Sequence, residues 1–111
     1  MSQKIVFMGT PEFSVPTLES LVNSNHKILA VYSQPASKAN RGQKIIPSRV
    51  EVFAKEYSLD LRTPDILDSD EEYDYLKKLE PDIVVVIAYG KIIPKKFLNL
   101  PKHGFINAHA S

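Results

Sequence analysis

The sequence predicts an α/β protein: a doubly wound, mainly parallel sheet in a three-layer α/β/α sandwich. Two observations carry that prediction. Short apolar runs alternate with amphipathic segments at the spacing of strand–helix–strand units. One of those runs, Ile83 to Ala88 (IVVVIA), is apolar throughout, as a parallel strand buried on both faces must be. A third observation sets the class: 111 residues with 43% hydrophobic and 24% charged side chains suit one soluble globular domain rather than a disordered or collagen-like chain.

The elements follow in order. Lys4 to Met8 (KIVFM) is a strand closed by the turn Gly9-Thr10-Pro11. Pro16 is tolerated only in a first helical turn, so a helix starts near Ser14 as N-cap, with Val15, Leu18, Leu21 and Val22 on one face. Asn23-Ser24-Asn25 ends it, and Lys27 to Ser33 (KILAVYS) is the second strand. Gln34 to Pro47 reads as a long loop. Ser48 and Glu51 form a capping box for a second helix with apolar Val50, Phe53, Ala54 and Tyr57. Leu59 to Arg62 is a short third strand. Ser69 to Glu72 is another capping box, opening a helix that Pro81-Asp82 stops. After the fourth strand, Tyr89 to Leu100 is a turn with a short helical piece begun at Pro94, and Gly104 to Ala108 is the last strand. With strands numbered along the chain, the expected order is 3-2-1-4-5. The carboxyl ends of strands one and four then flank the point where such sheets bind ligands.

Composition excludes several functions. Cysteine is absent, which removes disulfides, thiol nucleophiles and Cys-ligated zinc, and fits a reducing cytoplasm. No apolar run reaches the ~18 residues of a membrane span, and the N-terminus lacks the form of a signal peptide. The net charge of +1 conceals a pattern: +4 from Ser33 to Val50, −6 from Asp65 to Asp82, and +4 from Ile83 to Ser111. The first basic stretch suits phosphates, or is simply a wet loop; the acidic stretch is explained as the start and solvated face of a helix.

Gly9 to Phe13 lies where a phosphate-binding turn would, without G-x-G-x-x-G or G-x-x-x-x-G-K. It reads first as a structural turn, although a turn opening into a helix also suits an anion or polar group. Asn107 and His109 are two apart on a strand and so point the same way. An amide can stabilise a developing oxyanion and an imidazole can move protons near neutral pH, a pair suited to acyl-type transfer. A histidine at a strand end is equally an ordinary surface residue. His26 and His103 read as structural, and no metal-ligand cluster accompanies them.

FMGTPEF (7–13), SQPASKANRGQKIIPS (33–48), DIVVVIAYGKIIP (82–94) and FINAHAS (105–111) together resemble the N-terminal part of the methionyl-tRNA formyltransferase family. The resemblance runs the length of the chain. It implies transfer of a formyl group from 10-formyltetrahydrofolate, as co-substrate, to the α-amino group of initiator methionyl-tRNA. It further implies that Asn107 bonds the formyl oxygen and that His109 handles the amine proton. Ser111 would open a folate-contacting motif, and Tyr89, Gly90, Lys91, Ile92 and Ile93 would shape the pterin pocket, largely through backbone. Lys38, Arg41, Lys44 and Arg49 would approach the tRNA acceptor end, with salt-dependent affinity. No metal is implied.

Ala108 and Ala110 stand where relatives often carry a β-branched residue and a glycine. By the same resemblance, residues 1–111 are expected to be the N-terminal part of the catalytic domain. The rest of that domain, with a further catalytic Asp, and a C-terminal tRNA-binding domain would be missing. Such a chain is expected to be inactive alone and to self-associate through an exposed sheet edge. Two alternatives stand beside this reading. One is a related folate-dependent formyltransferase acting on a sugar nucleotide or glycinamide ribonucleotide. The other is a non-enzymatic α/β ligand-binding module.

Overall fold

The computed structural model describes residues 2–39 and 44–108. Strands β1 (Lys4–Gly9), β2 (Lys27–Tyr32), β5 (Leu61–Arg62), β6 (Ile83–Ile87) and β7 (Phe105–Ala108) form one sheet in the order β5-β2-β1-β6-β7. All four pairings are parallel. In chain order of the five strands this is the expected 3-2-1-4-5. β1 and β6 run in register from Ile5 opposite Ile83 to Gly9 opposite Ile87, so both end on the same rim.

Side chains along β1 alternate between two cores, as the pleat requires. Phe7 joins Val31 and Ile87 beneath helices α1 (Val15–Val22) and α2 (Arg49–Glu56), which contribute Leu18, Val50, Phe53 and Ala54. Val6 and Met8 join Tyr32, Val84 and Val86 on the opposite face, beneath Leu76 of α3 (Asp70–Leu79), Leu67 and Phe97. Helices therefore cover both faces, as the alternation of segments predicts. Burial of each such aliphatic or aromatic side chain contributes about 1.5–3 kcal/mol.

Four local expectations need correction. The stretch from Gln34 to Pro47 is more than a loop: β3 (Ser37–Ala39) and β4 (Lys44–Ile46) pair antiparallel as a separate two-stranded sheet. Ser14 makes no capping bond to α1; it closes a 3-10 turn (Glu12–Ser14), and its buried hydroxyl donates to the Ile87 carbonyl at 2.8 Å. The capping boxes are half realised. Ser48 and Ser69 accept from the backbone N–H of Glu51 and Glu72, at 2.9 and 3.2 Å. The Glu51 carboxylate turns instead to Lys55, and that of Glu72 to Arg62. Finally, α3 ends because Glu80 turns left-handed (φ 53°), one residue before Pro81.

Glu72 also corrects the account of the acidic stretch as a solvated face. It is 6% exposed. Its carboxylate accepts two bonds from Arg62, from Nε at 2.8 Å and Nη2 at 2.9 Å, and one from the Tyr32 hydroxyl at 3.2 Å. Arg62 in turn stacks on the Tyr75 ring, 3.9 Å from its centroid. His26 is structural as expected, its Nδ1 accepting from the Gln3 N–H at 2.9 Å.

Candidate active site at the carboxyl rim of the sheet

Strand order reverses between β1 and β6, and the segments leaving their carboxyl ends must diverge. A cavity of about 520 Å³ opens beside that point on the same rim, between the turn after β6 and the face of β7. Its size is that of a small-molecule site. Asn107 lies opposite Val86 in the β6–β7 register and shares the cavity-facing side of β7 with Phe105. Ile106 faces the other way and is 51% exposed.

The turn after β6 forms the opposite wall. Ala88 (φ 50°) and Gly90 (φ 91°) are both left-handed, which throws the chain back over the rim. The Gln34 side chain lies over Gly90 where a Cβ would stand, and that flexible side chain could give way, so it is the backbone angle that calls for glycine. Tyr89, between them, sends its side chain into the core, where its hydroxyl is buried without a partner among the described residues. Burial, reinforced by the Glu72 carboxylate, pushes that phenol well above the ordinary tyrosine range. It therefore stays protonated and cannot act as a base near neutral pH.

Thr10 connects this turn to the rest of the rim. Its hydroxyl donates to the Tyr89 carbonyl at 2.7 Å and accepts from the Gln34 N–H at 3.2 Å. Its carbonyl accepts from the Val50 N–H at 3.4 Å, at the start of α2. Thr10 and Gln34 also line a second cavity of about 390 Å³, between the β3–β4 hairpin and α2, with Ser37, Ser48 and Arg49.

The structure thus brings Asn107 together with Gly90, Lys91, Ile92 and Ile93 around one cavity. Ile92 is 91% exposed at its mouth. The Lys91 ammonium is committed to the Asp65 carbonyl at 2.8 Å. Arg49 stands apart, at the second cavity; Lys44, which is exposed, lies on β4, and position 38 falls within β3. His109, Ser111 and Arg41 lie outside the described residues. Gln34 was missed by sequence reasoning, and Thr10 was given no role beyond the turn after the first strand. The one available signal was the position of Thr10, directly after the glycine that ends a central strand. Among the described residues, no three His, Asp or Glu side chains gather to hold a metal, and no helix is long and apolar enough to cross a membrane.

A doubly wound sheet, with a cavity on its carboxyl rim beside the reversal of strand order and an amide on the cavity wall, has the form of a small-molecule-binding α/β domain. Comparison with known proteins narrows this. The family model described as formyl transferase matches residues 3–111, and the chain belongs to that family. It is 58% identical, over its whole length, to a methionyl-tRNA formyltransferase of Pelagibacter ubique, of which it covers 36%. It is 43% identical over 97% of its length to that of Geobacter sulfurreducens, covering 34%. The chain thus spans about a third of the length of the curated relatives it matches. A solved phosphoribosylglycinamide formyltransferase from Anaplasma phagocytophilum superposes with a TM-score of 0.65 over 96% of this chain and 49% of its own, at 19% identity, which shows a shared fold.

Proposed function

We propose that this chain supplies the formyl-donor pocket and the catalytic amide of a methionyl-tRNA formyltransferase, acting in the cytoplasm with 10-formyltetrahydrofolate as co-substrate. The observation that carries the reading is the meeting of Asn107 and the Gly90 turn at one cavity, in a chain 58% identical to a relative of that name. The cavity suits a flat heterocycle: Phe105, Leu98 and Ile92 offer apolar walls, and the turn offers backbone groups. Tyr89, Gly90, Lys91, Ile92 and Ile93 therefore contact folate through the shape of the turn. The amide N–H of Asn107 donates to the formyl oxygen as the amine nitrogen bonds to the formyl carbon and negative charge grows on that oxygen. His109, two residues on, takes the amine proton and returns it to N10 of the folate as the bond from the formyl carbon to N10 breaks and tetrahydrofolate leaves; Ser111 extends the folate contact. Lys38, Arg41, Lys44 and Arg49 attract the phosphates of the acceptor end of initiator methionyl-tRNA. By itself the chain is expected to be inactive. β7, paired on one side by β6 and carrying no charged side chain, is the edge through which two copies would associate.

The test uses a chimera, with residues 1–111 placed in the Pelagibacter ubique relative in exchange for its matching segment. It should formylate methionyl-tRNA, and Asn107→Ala should lower kcat about 10²–10³-fold. An Asn107→Ala chimera with unchanged kcat, or formylation of some other amine only, would refute the reading. Lys44→Gln and Arg49→Gln should each lower the slope of log affinity for tRNA against log salt by about one.

A further inference from the structure

The geometry points to Thr10 as a positioning residue that sets the turn of the formyl-donor pocket from the neighbouring cavity; this rests on the proposed function above. The turn needs an external hold. Ala88 and Gly90 occupy left-handed backbone, and a non-glycine residue there is strained unless its surroundings fix it. Tyr89 anchors the turn by its ring; its hydroxyl finds no partner among the described residues, so that anchor is apolar and gives the peptide plane no direction of its own. The Thr10 hydroxyl supplies the missing direction. Its single proton goes to the Tyr89 carbonyl at 2.7 Å, and it is aligned for that role by the Gln34 N–H at 3.2 Å. Gln34 then lays its side chain over Gly90, in the space a Cβ would fill. Thr10 and Gln34 line the second cavity; Tyr89 and Gly90 line the first. Two residues of one cavity therefore fix the wall of the other, and neither needs to touch the formyl donor.

Thr10→Val keeps the shape and removes the hydroxyl; Thr10→Ser keeps the hydroxyl. In the chimera, Thr10→Val should raise KM for the formyl donor about tenfold, the worth of one buried hydrogen bond, with kcat within about threefold. Titration with 5-formyltetrahydrofolate, a non-reacting probe, should show the same tenfold loss, and Thr10→Ser should bind within about twofold of the parent. A purely structural role would lower Tm and leave KM and the titration unmoved, and that result would overturn the inference. So would Thr10→Ser failing as badly as Thr10→Val. Should Thr10→Val not fold, Gln34→Ala is titrated instead: a loss of about threefold supports the inference, and no change overturns it. If no chimera formylates methionyl-tRNA but Thr10→Val still weakens the probe tenfold, the proposed function falls while the role of Thr10 stands.

Discussion

Replacing Arg62 by methionine should cost this fold a large part of its stability. The magnitude follows from what each partner keeps. Glu72 is 6% exposed and has three hydrogen bonds in the structure, two from Arg62 and one from Tyr32. Without Arg62 it retains a single phenolic donor and no countercharge. Stranding a buried carboxylate in this way costs about 3–5 kcal/mol, about a fifth or more of the 5–15 kcal/mol typical of a whole domain. The reverse change, Glu72→Gln, should cost less. Arg62 is partly exposed, keeps the Tyr75 ring at 3.9 Å, and can turn toward water or Glu71. The Glu71 contact, at 3.4 Å on an exposed carboxylate, is weak, and Glu71→Gln should change stability by less than about 0.5 kcal/mol. Urea unfolding of the four proteins, followed by far-ultraviolet circular dichroism, measures the three differences. The reasoning fails if Arg62→Met costs under about 1 kcal/mol, since the carboxylate would then be reaching solvent in the folded chain.

Three further outcomes are expected. Burial, and for each the Glu72 carboxylate, raises the Tyr32 and Tyr89 pKa values above the ordinary value of about 10. Their stabilising effect is full below that value and is lost above it, by about 1.4 kcal/mol per pH unit for each residue, as the unfolded chain ionises and the folded chain does not. Absorbance at alkaline pH should show both titrating only as the fold is lost; reversible ionisation of all five tyrosines with unchanged circular dichroism would contradict this. Ser14→Ala should cost about 1 kcal/mol in the same urea assay by removing the bond to the Ile87 carbonyl, and no loss would show that bond to be replaceable. Sedimentation should show the chain associating at high concentration and Ile106→Lys remaining monomeric, since a charge on β7 blocks edge pairing; a concentration-independent monomer in both would count against an open edge.

The sheet was legible because its strands are written in local apolar runs. Ile83 to Ile87 needs no partner to declare itself, and the parallel order follows from the segments between. The hairpin was not legible. Its strands are three residues long, Ile45 and Ile46 are both exposed, and the antiparallel pairing that holds it leaves no alternation to read. Ser14 and Glu72 were misread for a common reason. Each carries a local signal, a cap and a solvated face, that a distant partner overrides: the Ile87 carbonyl 73 residues away for Ser14, and Tyr32 40 residues away for Glu72. At the candidate site, Gly90 could be placed because it follows the carboxyl end of a strand that flanks the reversal of order, and Asn107 because it lies at the carboxyl end of the next strand on the same rim. Thr10 could be placed on the rim as well, but its bonds could not be read, since its two partners lie 79 and 24 residues along the chain.

The central position of β1 has a consequence for how the molecule is made. Of the five strands of this sheet, β1 is synthesised before the others yet ends in the middle, and β6, which closes its second side, is anchored to it by a contact spanning 78 residues, from Lys4 to Asp82. At roughly 5–20 residues per second, that gap lasts about 4–16 s. Throughout it, one flank of an apolar strand stands open in the nascent chain. Chaperone demand should therefore peak at intermediate lengths and subside once Ile87 has emerged.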